Sequence, residues 1–266
     1  MSGGALLAAM QLGDSMFPSG GFTLSHGLET LAEHKVVRTA TELREWLATT
    51  LAWQVGPSDG VAAAAAWNAV GEFAAPDRAS GDAATVVRAA RNGAADGLVP
   101  TVTVADHVAA GDFATVYEID ALLHATKLAR EPREASVRTG RQLLDTLWAL
   151  VGDPFGRIRA DVRAGRSPGS YATVLGVAGR RLGLGRHETV LLLLHLHVAG
   201  CIGAALRLLD VDDVEVQRVR LELVPDLCAA ADAALALPWK EMYACVPQTE
   251  LMTMLHERAT MRLFAT

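Results

Sequence analysis

Four arrangements in this sequence hold residue types that could do chemistry. Gly165-Arg166-Ser167-Pro168-Gly169 fits Gly-x-Ser-x-Gly, the turn that presents a nucleophilic serine in α/β hydrolases. That turn needs a strand before it and a backbone N–H directly after the serine to hold the oxyanion. The residue after Ser167 is Pro168, which has no N–H, and the segment before it lacks strand character. His195 and His197 form a His-x-His pair. On a helix, residues two apart project about 200° from one another, so the two cannot close on one ion. His26, Glu29 and Glu33 share a face if their segment is helical, which is half of a carboxylate–histidine site. No second half is visible in the sequence, and an exposed polar face is the simpler reading. A phosphate-binding loop needs Gly-Lys-Ser/Thr. Lysine occurs at Lys35, Lys127 and Lys240 alone, and none follows a glycine. The expectation is a non-enzyme: no catalytic residue, no tight metal site made by this chain alone, and no resident cofactor.

Composition narrows the class further. The chain has 266 residues, 51% of them hydrophobic, with a mean hydropathy of +0.23, which excludes a disordered polypeptide. Aromatics make up 5%, and alanine and leucine dominate, which favours helices. A net charge of −6 and the lack of a basic stripe argue against nucleic-acid binding. Cys201, Cys228 and Cys245 are far apart with no Cys-x-x-Cys, as expected of free thiols in a reducing cytoplasm. Ala5 to Met10 has no basic residues before it, so a secretory signal is not expected.

The elements that must position these groups are helical by pattern. A short apolar helix spans Ala5 to Leu12, and Ser25 to Glu29 reads as the first turns of a helix continuing to about His34. Thr39 and Glu42 form a capping box for a helix with Leu43, Trp46, Leu47 and Leu51 on one face. Gly56-Pro57-Ser58 should break that helix, with Asp59 starting another through Val70. Residues 71–111, rich in Ala, Gly, Asp and Thr, read as a loop-rich stretch with one or two weak helices, or alternatively as a linker between two domains. Phe113 to Ala129 is helical, and Pro132 suits the first position of the next helix. Pro168 to Leu182 has Gly176 and Gly179 at spacings that let helices approach closely. Thr189 to Leu209 is apolar almost all round and long enough to span a membrane, but its polar residues and amphipathic neighbours favour a central or dimer-interface helix over a membrane one. Asp212 and Glu215 cap a helix expected to run to about Leu237, and a last helix follows Pro247. The fold class expected is all-α: one helical bundle over residues 1–266, of roughly eight to ten helices.

Three stretches carry a more specific signal. The first is Asp14-Ser15-Met16-Phe17-Pro18-Ser19-Gly20-Gly21-Phe22, followed by Ser25-His26-Gly27-Leu28-Glu29. Pro18 fixes φ, and Gly20 and Gly21 can adopt positive φ, so this reads as a tight loop between helices. The second is Arg133-Glu134, with Gly140 and Leu143-Leu144 downstream, on one amphipathic helix. The third is the tail, with His256-Glu257 and then Arg262-Leu263-Phe264. In composition and order these stretches resemble the UreF family of urease accessory proteins, and relative to that pattern the loop-rich residues 71–111 look like an insertion. The chain departs from that pattern at Arg258, Thr260 and Met261, and at Asp210, Asp212 and Asp213 after Arg207, where the family has Pro, Gly and Gln.

The resemblance implies an all-helical maturation factor without catalysis of its own. It implies a homodimer that binds UreD (also called UreH), recruits the GTPase UreG, and docks on apo-urease in the cytoplasm so that nickel reaches the active site. By the same resemblance His256, Glu257, Arg262, Leu263, Phe264 and Arg207 are candidate partner-binding residues. Asp14, Ser15, Phe17, Pro18, Gly20, Gly21, Phe22, Ser25, Gly27, Leu28, Glu29, Arg133, Glu134 and Gly140 are structural. The alternatives are a helical scaffold or a paralogue not serving urease, or a helical enzyme with a metal or cofactor near His195 and His197.

Overall fold

The computed structural model describes residues 2–21, 24–71, 112–259 and 262–265. Phe22 and the expected insertion, apart from Gly71, lie outside the described residues. The described chain is all-α, with no strand among the described residues. Its α-helices are α1 (Gly3–Leu12), α2 (Leu28–Glu33), α3 (Ala40–Thr50), α4 (Val61–Ala69), α5 (Phe113–Thr126), α6 (Arg130–Val151), α7 (Gly156–Arg163), α8 (Tyr171–Arg181), α9 (Arg186–Leu208), α10 (Asp213–Glu222), α11 (Val224–Ala236) and α12 (Pro247–His256). Short segments such as α2 and α7 add to the longer helices visible in the hydrophobic periodicity.

The local signals for helix starts work as physical chemistry requires. Thr39 Oγ1 accepts from the Glu42 N–H at 3.2 Å while the Glu42 carboxylate accepts from the Thr39 N–H at 3.1 Å. Asp212 and Glu215 make the same reciprocal pair at the start of α10. Each pair satisfies two N–H groups that a helix leaves without partners at its first turn.

Three boundaries differ from the pattern. Gly56-Pro57-Ser58 does not break the helix. Residues Leu51–Gly60 continue from α3 into α4 as a π-helical segment with Pro57 inside it. Proline removes one N–H from the ladder, and beside it the Trp53 carbonyl accepts from the Cys245 N–H at 2.8 Å. Tyr243 likewise donates to the Pro57 carbonyl at 3.2 Å. A distant stretch of chain thus hydrogen-bonds to carbonyls on either side of the break in the ladder. Second, α6 begins at Arg130, which places Pro132 third in the helix, still in the turn whose N–H groups have no intrahelical partner. Third, the helix expected to run to Leu237 is two, because Pro225 sits at the start of α11 and cannot continue α10.

The core forms where small residues let helices meet. Gly176 of α8 lies against the backbone of Ala63 in α4, where a β-carbon would overlap the Ala63 carbonyl. Gly56 and Gly60 of the π-helical segment face Ala230 and Ala234 of α11. α9 runs through the middle of this packing, against α4, α8 and α11. Its length and apolar composition would let it cross a membrane, yet 56% of its most apolar stretch is buried inside the protein. Fully buried Val190, Leu194 and Ala205 belong to the one core that also takes Leu28, Leu47, Leu143 and Leu175.

Candidate functional site

The first signature stretch and the tail come together. Gly27 ends the loop with φ +89°, and a β-carbon there would meet the Thr253 hydroxyl oxygen of α12 at 2.7 Å. Ser25 to Gly27 are therefore a turn and not the first helical turn expected, and α2 starts at Leu28. Glu29 then points at the tail. Its carboxylate accepts from the backbone N–H of Leu263 at 2.7 Å and of Phe264 at 3.0 Å, and faces His256 Nε2 at 3.1 Å. The other ring nitrogen, Nδ1, lies 2.7 Å from Glu131 Oε2 of α6. Arg262 completes the knot with a 2.7 Å contact to Glu131 Oε1. Glu257 accepts from the Arg130 N–H at 3.0 Å, where that helix starts. Both nitrogens of the buried imidazole thus lie within hydrogen-bond distance of a carboxylate, and an arginine pairs with one of the two carboxylates.

The candidate partner-binding residues therefore divide. His256 is 1% exposed and Phe264 6%, both inside this chain's own fold, whereas Leu263 between Arg262 and Phe264 is 76% exposed. Arg207 is exposed on α9, with its guanidinium 5.8 Å from the Phe264 ring. The acidic departure after Arg207 has a local role at one position, since Asp212 caps α10.

The rest of the first signature works as a loop lining. Asp14 accepts from the Met16 N–H at 2.8 Å, and Phe17 packs on the core. Of the two adjacent glycines, Gly20 has positive φ, +76°, and sits against Gln142 of α6; Gly21 has neither feature. Ser25 is fully buried, and its hydroxyl oxygen accepts from the Glu29 N–H at 3.5 Å. In the second signature, Gly140 is the tightest point. A β-carbon there would overlap the Gly169 carbonyl and crowd the backbone of Ser170 and Tyr171. Arg133 donates to the Lys127 carbonyl at 3.2 Å, and Glu134 is exposed.

The Gly-x-Ser-x-Gly match is structural. The Ser167 hydroxyl donates to the buried carboxylate of Asp120, which also accepts from the Gly169 N–H at 2.6 Å and the Ser170 N–H at 3.0 Å. Asp120 does not stand out in the sequence by any motif. A lone acid on an otherwise apolar helix face is the signal that could have found it.

A cavity of about 290 Å³ lies beneath the signature loop, lined by Gly13, Ser19, Asp59, Lys127, His26 and His197 among others. Asp59 and Lys127 form a 2.7 Å ion pair on its wall. Here the histidines group differently from the sequence expectation. His26 does not share a helical face with Glu29 and Glu33, because it precedes α2 with φ +54°. It meets His197 edge to face, ring centroids 4.5 Å apart, and Cys201 completes a cluster. His195 points elsewhere, its Nε2 3.3 Å from the Arg220 guanidinium. Burial pushes the His26 imidazole down to about 4, with the Lys127 charge adding to that and Asp59 opposing it. Burial first, then His26 and Lys127, drives His197 well down in the same direction. Burial also pushes the Cys201 thiol well up. The signal in the sequence for this grouping is the His197-x-x-x-Cys201 spacing, one helical turn, which the His-x-His pair overshadows.

Comparison with known proteins gives a consistent answer. Residues 37–224 match the family model of UreF. Over 260 residues the chain is 29% identical to the urease accessory protein UreF of Trichodesmium erythraeum (strain IMS101), which covers 97% of this chain and 96% of that protein. It is 28% identical over 264 residues to the urease accessory protein UreF of Arthrobacter sp. (strain FB24), covering 99% and 98%. It is 25% identical over 260 residues to urease accessory protein UreF 2 of Brucella canis, covering 97% and 91%.

Proposed function

The chain belongs to the UreF family of urease accessory proteins, and on that premise we propose that it is a maturation factor that helps to load nickel into urease. In this reading it works in the cytoplasm as a homodimer, binds UreD (also called UreH), and with it brings the GTPase UreG to apo-urease. Nickel is the cargo, and the protein contributes surfaces instead of a reaction. The observation that carries the reading is kinship along nearly the whole chain with proteins named for urease accessory function.

The geometry supports a role for surfaces. The serine that could have been a nucleophile is held by Asp120. The strongest convergence of charged groups ties the tail to the body. Next to that tail-binding knot, α12 leaves Leu251, Met254 and Leu255 exposed at helical spacing, and Leu263 is exposed beyond it. Exposed apolar residues grouped in this way suit a protein partner.

The test is genetic and biochemical. Cells lacking this gene should make urease polypeptides at normal levels but little nickel-loaded holoenzyme, and the tagged protein should co-purify UreD and UreG. Unchanged holoenzyme yield would overturn the proposal in favour of a helical scaffold serving another assembly.

A further inference from the structure

α9 contributes two donors to one point. His197 and Cys201 stand one turn apart, with Nε2 3.8 Å from Sγ. His26, from the turn ahead of α2, supplies a third, and the three ligand atoms all lie within 4.8 Å of one another. In a tetrahedral site with metal–nitrogen bonds of about 2.0 Å and a metal–sulfur bond of about 2.3 Å, nitrogen and sulfur sit about 3.5 Å apart. The His197–Cys201 pair is already close to that separation.

We infer that His26, His197 and Cys201 bind one divalent late first-row transition metal ion through two imidazole nitrogens and one thiolate. This donor set suits borderline-soft ions from Co²⁺ to Zn²⁺ and is poor for Mg²⁺ or Ca²⁺. Both imidazoles are held in the neutral form that ligates metals. Both histidines also line the cavity, which leaves room for a fourth donor. On loading, the S–H bond of Cys201 breaks, the S–metal bond forms, and one proton leaves to solvent. The complex then carries one net positive charge. The neighbouring Lys127 charge opposes a bound cation, and the Asp59 carboxylate 2.7 Å from it offsets part of that repulsion.

The site is independent of the urease reading, and its test uses the isolated full-length chain. Co²⁺ is titrated into reduced protein with a non-thiol reductant, and absorption, proton release and X-ray absorption at the cobalt edge are recorded. The expected result is one equivalent bound, about one proton released, a thiolate-to-cobalt charge-transfer band, and a coordination shell with one sulfur. Zn²⁺ should displace the band. Cys201→Ser should abolish it, while Cys228→Ser and Cys245→Ser should leave it unchanged. His26→Gln and His197→Gln should each weaken binding by more than the roughly 10–100-fold typical of losing an outer-shell partner. No charge-transfer band in the wild type overturns the inference, and so does a band that survives Cys201→Ser. The edge spectrum of the unmutated protein decides the matter without any variant: a shell with no sulfur, or with two, overturns it.

Discussion

The backbone N–H of Phe264 donates to the Glu29 carboxylate at 3.0 Å, joining residues 235 positions apart. The same carboxylate takes the Leu263 N–H and faces His256. One acidic side chain in the first signature thus holds the last turn of the described chain.

Replacing Glu29 with Gln keeps the volume and removes the charge from this junction. Hydrogen bonds to a charged acceptor contribute about 1.5–3 kcal/mol each, and the Glu29 carboxylate accepts two from backbone N–H groups. Glu29→Gln should lower stability by about 3 kcal/mol in urea unfolding. It should also abolish amide-exchange protection at Leu263 and Phe264. Protection that persists at both amides would show that the tail docks by other contacts.

Two glycines that look alike in the sequence should respond differently. At Gly140 an added β-carbon meets the backbone of Gly169, Ser170 and Tyr171, and backbone cannot swing aside as a side chain can. Gly140→Ala should cost about 3 kcal/mol, the upper part of the usual overpacking range. At Gly21 the nearest atom to such a carbon is the Ser19 hydroxyl oxygen, 3.8 Å away. Gly21→Ala should change stability by less than about 0.5 kcal/mol. Thermal unfolding of the two variants side by side decides it, and equal losses would contradict the packing described.

That contrast shows where the sequence is legible. Local signals were sufficient where the partner is nearby, as with the capping boxes of Thr39–Glu42 and Asp212–Glu215. The all-α class followed from periodicity for the same reason. Pro57 misled because the π-helical stretch around it is bonded by Cys245 and Tyr243, almost 190 residues later, which no local pattern records. The tail was legible as apolar and arginine-bearing, but not which of two adjacent side chains turns inward. Grouping His26 with Glu29 assumes a continuous helix, and the left-handed turn at His26 and Gly27 sends it to α9 instead.

The alkaline limb of stability should report on Tyr171. Its phenol is pushed up to about 12 by burial, with a smaller opposing effect from the Ser19 hydroxyl. In the unfolded chain a phenol loses its proton near pH 10. Between about pH 10 and 12 the unfolded state therefore binds fewer protons than the folded one, and stability falls as pH rises through that window. The slope from one such group is at most about 1.4 kcal/mol per pH unit. Tyr117, raised by burial and by the Asp161 carboxylate, acts in the same direction. Urea unfolding between pH 9 and 11 should show the decline, and Tyr171→Phe should make it shallower. An unchanged slope in that variant would mean that the phenol is solvated in the folded state.

Leu263 and Phe264 allow the partner-docking proposal to be separated from folding. Phe264 is buried and Leu263 is 76% exposed, so adjacent positions face the core and the solvent. Removing residues 257–266 would strip Glu257, Arg262 and Phe264 from the body at the same time as any docking contact, so loss of binding in that truncation has two causes. Leu263→Asp touches one of them. As a surface change it should alter stability by less than about 0.5 kcal/mol. If the tail enters a partner's pocket, burying a charge there should weaken capture of UreD by about tenfold or more, as losing a central apolar anchor does. Phe264→Ala should do the reverse in order of cause, costing about 3–5 kcal/mol of stability first, with binding lost as a consequence. Pull-down of UreD by each variant, normalised to the folded fraction from circular dichroism, separates the two. Wild-type capture by Leu263→Asp would remove the tail from the docking surface and leave the exposed face of α12 to carry it.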